Sequence, residues 1–224
     1  MLLRLLGAHS KIYGIPYESR VFRHPGLKQR LTSMIWNRNT VAQQKHRWVE
    51  KTPMHVRMID RIFARYPEAR VLFVVRDGRD VTVSMRKRFG EFEKGLKRWV
   101  DDNRHGLAWT NDSRVMLVRY EDLVKNYDDI MPQICSFIGE AFEEGLVNYH
   151  QTPAYIFSNN IRKPGSAQGK NHKDYRNWQI NQTLFDGSGK WLKEMTEEEK
   201  MRFKADKDAI QMLIDLGYAE DSDW

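Results

Sequence analysis

The chain has 224 residues, which is long enough for one large domain with its own hydrophobic core. Cys135 is its only cysteine, which excludes an intrachain disulfide and a thiol-rich zinc site, and the seven histidines show no metal-ligand spacing. No apolar run approaches the roughly 20 residues of a membrane span, and the apolar opening MLLRLLG is too short for a signal-peptide core. These features predict a single domain over residues 1–224, located in the reducing cytoplasm.

The charge balance favours an anionic ligand. Lys and Arg number 37 against 30 Asp and Glu, a formal net charge of +7, and the two signs are interspersed along the chain. Much of this charge is typical of an ordinary solvated surface. Nucleic acid would match the sign, but no zinc finger, RNA-stacking motif or arginine-rich arm is present. The more specific interpretation of the positive charge is a ligand that carries phosphate or sulfate.

The first quarter of the chain predicts two helices and two short strands. An amphipathic helix covers residues 1–8, and Lys11–Gly14 is a short apolar stretch closed by glycine, typical of a brief strand. Arg47–Glu50 (RWVE) predicts the second strand. Between them, residues 26–45 predict a helix because apolar side chains recur at near-helical spacing: Leu27, Leu31, Met34, Ile35 and Val41.

Helices and buried strands alternate through the middle of the chain. Val71–Val75 (VLFVV) has the pattern of a strand buried on both faces of a parallel sheet, and Val115–Val118 (VMLV) predicts another. Pro53 suits the first turn of a helix over about residues 54–66, which has one apolar face: Val56, Ile59, Ile62 and Phe63. Further helices are predicted from near Asp80 and over about residues 91–109, 129–139 and 196–216. The long polar segment 151–190 is of the kind that is functional or mobile.

This alternation favours a parallel α/β sheet. In such sheets ligands bind beyond the carboxyl ends of the strands. Three of the four segments at those ends combine a Lys or Arg with a nearby hydroxyl or carboxylate, and the four are Tyr17–Arg20, Lys51–Thr52, Arg76–Arg79 and Arg119–Asp122.

Several motifs in sequence order resemble those of the sulfotransferases that use 3′-phosphoadenosine 5′-phosphosulfate (PAPS). The resemblance is nearest to the bacterial and tyrosylprotein types, and it implies a P-loop-NTPase-like, three-layer α/β/α fold around a parallel sheet. Each motif alone is weak, whereas their order and spacing together are specific. The motifs are EKTP at Glu50–Pro53, VVRDGRDVTVS at Val74–Ser84, VRYEDLV at Val118–Val124, GSGKW at Gly187–Trp191 and LGY at Leu216–Tyr218.

The resemblance implies that Arg76 and Ser84 bind the 3′-phosphate of the donor. Arg76 ends a predicted strand and Ser84 lies early in the next helix, whose N-terminus carries a positive dipole end. A guanidinium also matches phosphate geometry. The alternative is that Arg76 pairs with Asp77 or Asp80 in a surface turn. Lys190 resembles a basic residue of the family that closes over the same phosphate, which implies that role for Lys190.

Two further strand ends receive roles from the resemblance. Lys51, with Thr52 beside it, contacts the 5′ side of the cofactor, where an ammonium neutralises charge on the departing bridging oxygen. Its alternative is an ordinary exposed lysine. Tyr120 lies near the adenine, where its ring stacks, or else it is a packed core tyrosine with a bonded hydroxyl.

Two residues are candidates for the general base that takes the acceptor's proton. Glu18, in PYESR, matches a Glu-Ser/Thr-Arg stretch that carries the catalytic glutamate in tyrosylprotein sulfotransferases and some bacterial relatives. Burial is expected to raise its pKa toward working pH. His55 is the other candidate, since Pro53 stands where cytosolic sulfotransferases have their histidine. We prefer Glu18, with Arg20 positioning the acceptor. The alternative for Glu18 is a surface ion pair with Arg20.

One family feature is missing from the sequence given. Family members begin with a strand and a Ser-Gly-Thr-type loop whose N–H groups hold the 5′-phosphosulfate, much as a P-loop does. The helix that follows this loop in the family resembles residues 1–9. We therefore expect an N-terminally truncated chain, lacking the first strand and phosphate loop and impaired in activity.

The function implied is transfer of a sulfuryl group from PAPS to a hydroxyl or amine by in-line displacement, with release of adenosine 3′,5′-bisphosphate (PAP) and without a metal. The acceptor is a small molecule, a carbohydrate or a peptide, and no nucleic-acid or membrane partner is expected. The first alternative is a degenerate protein that binds PAP or PAPS without turnover. A nucleotide kinase is more distant, because the chain lacks a Walker-type loop and a Mg²⁺-binding Asp.

Overall fold

A computed structural model describes residues 1–23, 26–165 and 172–224. These divide into two compact units, with the boundary inside a helix: unit 1 comprises Met1–Ile62 and Ala141–Phe185, and unit 2 comprises Phe63–Glu140 and Asp186–Trp224. The prediction of one domain over the whole chain stays a prediction. No helix of the described residues has the length and apolar character to cross a membrane.

Helices dominate the described elements and four short strands lie among them. In chain order they are α1 (Leu2–Ala8), β1 (Ile12–Gly14), α2 (Leu27–Ala42), β2 (Arg47–Val49), α3 (Ile59–Arg65), β3 (Val71–Val75), α4 (Gly78–Phe89), α5 (Phe92–Leu107), β4 (Val115–Arg119), α6 (Tyr120–Lys125), α7 (Tyr127–Ile138), α8 (His172–Gln179), α9 (Trp191–Glu194), α10 (Glu197–Ala205) and α11 (Lys207–Asp215). Three 3-10 helices cover Val21–Arg23, Pro53–Met58 and Glu144–Gln151.

In unit 1, β1 and β2 form a parallel pair in which Ile12 faces Arg47. The turn from α1 into β1 is fixed by Lys45, whose ammonium donates to the carbonyl oxygens of Gly7, His9 and Ile12 at 3.2, 3.0 and 2.7 Å. The bonds to Gly7 and His9 satisfy carbonyls that the C-terminus of α1 leaves open, and the bond to Ile12 links the same ammonium to β1. The carboxyl ends of β1 and β2 therefore lie side by side and lead into the segments at residues 15–20 and 50–52.

In unit 2, β3 and β4 form a second parallel pair in which Val71 faces Val115 and Val75 faces Arg119. Helix α4 begins directly after β3 because Gly78 lets its backbone approach α5, where an added Cβ would lie 2.6 Å from the indole of Trp99. The same indole donates to the carbonyl oxygen of Arg76 at 3.0 Å. The close packing of α5 thus fixes the backbone at the end of β3.

The predicted strands and most helices are confirmed, including parallel pairing, although the strands form two separate pairs in the described residues. The expectation that Val71–Val75 is buried on both faces is wrong. Phe73 and Val75 are buried, but Val74 on the other face is 43% exposed, because that face is left partly open.

Two predicted helices are divided, and three helices, α6, α8 and α9, were not predicted. The segment after Pro53 begins as a 3-10 helix and becomes α-helical at Ile59. The predicted helix over 196–216 is broken at Asp206, whose side chain caps the N-terminus of α11 by accepting from Ala209 N–H. Helix α6 follows β4 directly and was missed because its six residues are too few to show a period.

Candidate functional site

Glu18 lies between two cations in unit 1. Its Oε1 accepts from Lys51 Nζ at 2.6 Å and from Arg176 Nη2 at 2.8 Å. The guanidinium of Arg176 stacks on the ring of Phe157 at 3.7 Å, and Lys51 Nζ lies 5.7 Å from the same ring centre. The ring of Phe157 therefore lies close to both cations that share this carboxylate, and the three charged groups sum to +1.

The charge on Glu18 is held by these two partners. Burial works against it, but the hydrogen bonds and charges of Arg176 and Lys51 outweigh burial and lower its pKa to about 2. The expectation of a raised pKa at Glu18 is therefore wrong, as is the alternative of a surface pair with Arg20. Burial lowers the pKa of Lys51, and contact with Glu18 opposes that effect.

Glu50 ties the segment containing Glu18 to the end of β2. Its Oε1 accepts from the hydroxyls of Ser19 and Thr52 at 2.8 and 2.6 Å and from Ser19 N–H at 3.1 Å. Its Oε2 pairs with His55 Nδ1 at 2.9 Å. Only 5% of its side chain is exposed, and these partners lower its pKa against the effect of burial. Glu50 thus fixes the neighbours of both Glu18 and Lys51.

Three other predicted residues of unit 1 already take part in contacts, and their roles in binding or catalysis stay predictions. His55 is 7% exposed, packs edge-on against Phe22, and leaves its buried Nε2 without a hydrogen-bond partner among the described residues. Thr52 is buried, and its hydroxyl is engaged with Glu50. Arg20 is exposed and adopts a left-handed φ of 51°, held by its N–H bond to Thr52 Oγ1. A non-glycine residue in that region is uncommon, and such strain is concentrated at functional sites.

In unit 2, Arg76 and Asp80 organise the loop that contains GSGKW. Arg76 Nη2 donates to Asp80 Oδ2 at 3.2 Å and to the carbonyl oxygen of Gly187 at 2.6 Å. The buried Asp80 carboxylate also accepts from the N–H groups of Gly189 and Trp191, both at 2.9 Å. The predicted alternative pairing of Arg76 with Asp80 is therefore present, but as part of a loop anchor rather than in an isolated surface turn.

Arg76 keeps hydrogen-bonding capacity beyond this anchor. Its Nε is buried and has no hydrogen-bond partner among the described residues. Its guanidinium carbon lies 4.7 Å from the ring centre of Tyr120, whose hydroxyl accepts from Gly187 N–H at 3.1 Å. Tyr120 is thus a partly buried tyrosine with a bonded hydroxyl, and burial raises its pKa.

The two remaining predicted residues are exposed. Ser84 lies in the second turn of α4, and Lys190 immediately precedes α9. Both belong to the same unit as Arg76. Whether they reach a phosphate held by Arg76 stays a prediction.

A buried network supports the strand end beneath Arg76. Asp77 caps α4 by accepting from Arg79 N–H at 2.9 Å, and its own N–H donates to Glu121 at 3.1 Å. Tyr218 of the LGY motif donates its hydroxyl to Glu121 at 2.7 Å, and its carbonyl accepts from Arg79 at 2.9 Å. Burial is the main reason that the pKa of Tyr218 is raised. The motif at Leu216–Tyr218 therefore has a structural role.

Sequence reasoning missed Arg176, Phe157, Glu50 and Asp80 as site residues. Glu50 and Asp80 lie inside quoted motifs, so their position beside Lys51 and Arg76 was an available signal. Arg176 and Phe157 come from the polar segment 151–190, in which nothing local distinguishes them from their neighbours.

Comparisons with known proteins agree with these motifs. The sequence matches the model of the Sulfotransferase family over residues 18–144, which is more than half of the chain. A search of curated proteins gave no match.

Two solved structures share the fold at low sequence identity. A sulfotransferase domain from the curacin biosynthetic pathway has a TM-score of 0.69 at 17% identity, covering 97% of this chain and 93% of that one. The sulfotransferase domain from the Synechococcus PCC 7002 olefin synthase has a TM-score of 0.70 at 16% identity, covering 97% and 90%. These likenesses show an α/β sulfotransferase fold, and with the family match they establish that this chain belongs to the sulfotransferase family.

Proposed function

We propose that the protein transfers the sulfuryl group of PAPS to a hydroxyl or amine acceptor. One observation carries the proposal: a candidate proton acceptor, Glu18, and a candidate leaving-group cation, Lys51, are in contact at 2.6 Å at the end of β2. Transfer between oxygens needs one group that removes a proton and another that neutralises a departing anion. Both are present in one cluster.

The reaction balances with these residues. The acceptor oxygen or nitrogen forms a bond to sulfur while the bond from sulfur to the bridging oxygen breaks. The electron pair of the broken bond stays on the bridging oxygen of PAP, where Lys51 stabilises the charge. The acceptor's proton passes to the carboxylate of Glu18. Arg76 and Ser84 are assigned to the 3′-phosphate, with Lys190 beside them, Tyr120 to the adenine, and Thr52 to the 5′ side.

The low pKa of Glu18 implies an order of events. A carboxylate with a pKa of about 2 is a weak base while two cations hold it. An anionic donor competes for Lys51, and loss of that partner raises the proton affinity of Glu18. We infer that donor binding activates the base. His55 is the weaker candidate because its side chain is 7% exposed and already bonded to Glu50.

The direct test is turnover of ³⁵S-labelled PAPS with a panel of acceptors: a phenol, a sugar, a primary amine and a tyrosyl peptide. Because impaired activity is expected, we look for at least a low yield of labelled product from one of them. Replacing Lys51 with Ala is expected to abolish the product, whereas the matched replacement of exposed Lys11 leaves it unchanged. PAP binding together with no labelled product from any acceptor would contradict transfer.

That contrary result would support a second function, nucleotide binding without turnover. The observation that favours it is that the carboxylate of Glu18 is already hydrogen-bonded to both Lys51 and Arg176. Mg²⁺-dependent phosphate transfer from ATP would instead point to the kinase alternative, for which no acidic metal-binding cluster is present within the described part of the chain.

A further inference from the structure

Helix α2 of unit 1 turns its large apolar side chains toward solvent. At 3.6 residues per turn, five of them fall within an arc of about 120° along the helix. They are Leu27, Leu31, Met34, Ile35 and Val41, with exposed fractions of 73%, 50%, 66%, 54% and 72%. We call these five side chains the α2 stripe.

The opposite, buried face of α2 is mostly polar. Gln29, Ser33 and Thr40 are buried there beside Trp36. The hydroxyls of Ser33 and Thr40 donate to the carbonyl oxygens one turn earlier, at 2.8 and 2.7 Å, so their polar groups are satisfied within the helix. The helix therefore places polar side chains on its buried face and apolar side chains on its exposed face. A contiguous exposed apolar patch on a folded protein marks an interaction surface.

The charge around the α2 stripe selects an anionic partner. Lys28, Arg30 and Arg38 are exposed on this helix, and residues 27–42 contain no Asp or Glu. None of the three cations forms an ion pair with a described residue. Helical geometry places Lys28 and Arg30 at opposite edges of the stripe and Arg38 within it. In a dimer formed through this face, these cations would lie opposite the same cations of the second copy. The repulsion between them disfavours self-association.

We propose that the α2 stripe lies on the surface of an anionic lipid bilayer. Interfacial helices combine an apolar face with flanking Lys and Arg, whose aliphatic stems lie along the apolar layer while their charges reach the headgroups. Binding energy at protein interfaces is concentrated in Trp, Tyr and Arg, whereas Leu and Val are under-represented there, and the α2 stripe consists of Leu, Ile, Val and Met side chains. The expectation of no membrane partner rested on the absence of a membrane span, which a surface helix does not need.

The test is sedimentation of the full chain with vesicles at 0.1 M salt. We expect binding to vesicles of 70% phosphatidylcholine and 30% phosphatidylglycerol, and much weaker binding to phosphatidylcholine alone. Replacing Lys28, Arg30 and Arg38 together by Gln is expected to weaken binding by about fivefold per cation, roughly 100-fold in total. A control triple with the same loss of charge, expected to bind within about threefold of the parent, replaces exposed lysines of unit 2: Lys94, Lys97 and Lys207.

A second variant tests the apolar part of the surface. Leu31→Gln with Ile35→Gln changes only exposed side chains, so circular dichroism should match the parent while vesicle binding is lost. Equal binding by this variant, or no binding of the parent to anionic vesicles, would overturn the proposal. A dimer in analytical ultracentrifugation that this variant abolishes would assign the stripe to a second copy. Binding of a synthetic acidic amphipathic peptide without vesicle binding would assign it to a protein partner.

Discussion

Replacing Glu18 with Gln should tighten the binding of PAP. The substitution keeps the shape of the side chain and removes the charge that holds Lys51 at 2.6 Å and Arg176 at 2.8 Å. In the parent protein, an anion at the 5′ side of the nucleotide must compete with this carboxylate for Lys51. In the variant, both cations are available to the ligand.

The size of the effect follows from the state of Glu18. A pKa lowered from 4.5 to about 2 corresponds to a preference of about 3 kcal/mol for the charged form beside its cations. The side chains of Glu18 and Lys51 are 22% and 40% exposed, so solvent screening reduces this figure by more than half. About 1 kcal/mol remains, which is roughly a fivefold gain in affinity.

Isothermal titration calorimetry with PAP at pH 7 measures this gain. Glu144→Gln is the matched control, because it removes the same charge from an exposed position of unit 1 and should change affinity less than twofold. Since the pKa of Glu18 is lowered, its charge is fully present above pH 4.5 and is lost toward pH 2. The difference between parent and variant should therefore be constant across neutral pH. An affinity equal to the parent's, or weaker, would refute the competition.

The same variant separates the two candidate bases. Glu18→Gln should abolish sulfuryl transfer while PAP still binds, because the amide cannot take the acceptor's proton. Retained turnover would move the base to His55.

Three further predictions concern the groups around these cations. Arg76→Ala should weaken PAP binding by at least about 1.5 kcal/mol, and equal affinity in calorimetry would remove the 3′-phosphate assignment. Glu50→Ala should lower the free energy of unfolding in urea by about 3 kcal/mol, because the hydroxyls of Ser19 and Thr52 and the imidazole of His55 would lose their hydrogen-bond partner. A loss below 1 kcal/mol, on the order of one ordinary hydrogen bond, would mean that Glu50 is no anchor. Asp80→Asn should speed amide hydrogen exchange at Gly189 and Trp191 by roughly tenfold, and unchanged exchange would show that the loop is held by other contacts.

The sequence predicted those parts of the fold that leave a local pattern. The run at Val71–Val75 and the proline at position 53 both mark their elements, and the structure places a strand and a helical turn there. Spacing predicted that α2 is a helix, but a period alone does not say which side faces the core. In the structure Gln29 and Ser33 lie on the buried face of α2. The apolar residues whose spacing predicted the helix lie on its solvent-exposed face.

The site was predictable only where its residues share a motif. Lys51 and Arg76 were found because each follows a strand, a position that topology alone makes important. Arg176 contacts Glu18 across 158 positions of sequence, and no local pattern records such a contact. The state of Glu18 was mispredicted for the same reason, since burial without Arg176 and Lys51 would have raised its pKa.

The two motif cations are held in different ways, and this difference predicts how each meets an anion. Lys51 and Arg176 share Glu18, so an arriving anionic group competes with this carboxylate for the charge of Lys51. Arg76 uses one nitrogen for Asp80 and Gly187 and keeps a buried Nε without a partner among the described residues. Because 29% of the Arg76 side chain is exposed, we expect a phosphate to join it while Asp80 continues to hold the GSGKW loop. On the proposed function, we therefore expect the 3′-phosphate to bind to a site already assembled and the sulfuryl end to bind in competition with Glu18, which would raise the proton affinity of that carboxylate.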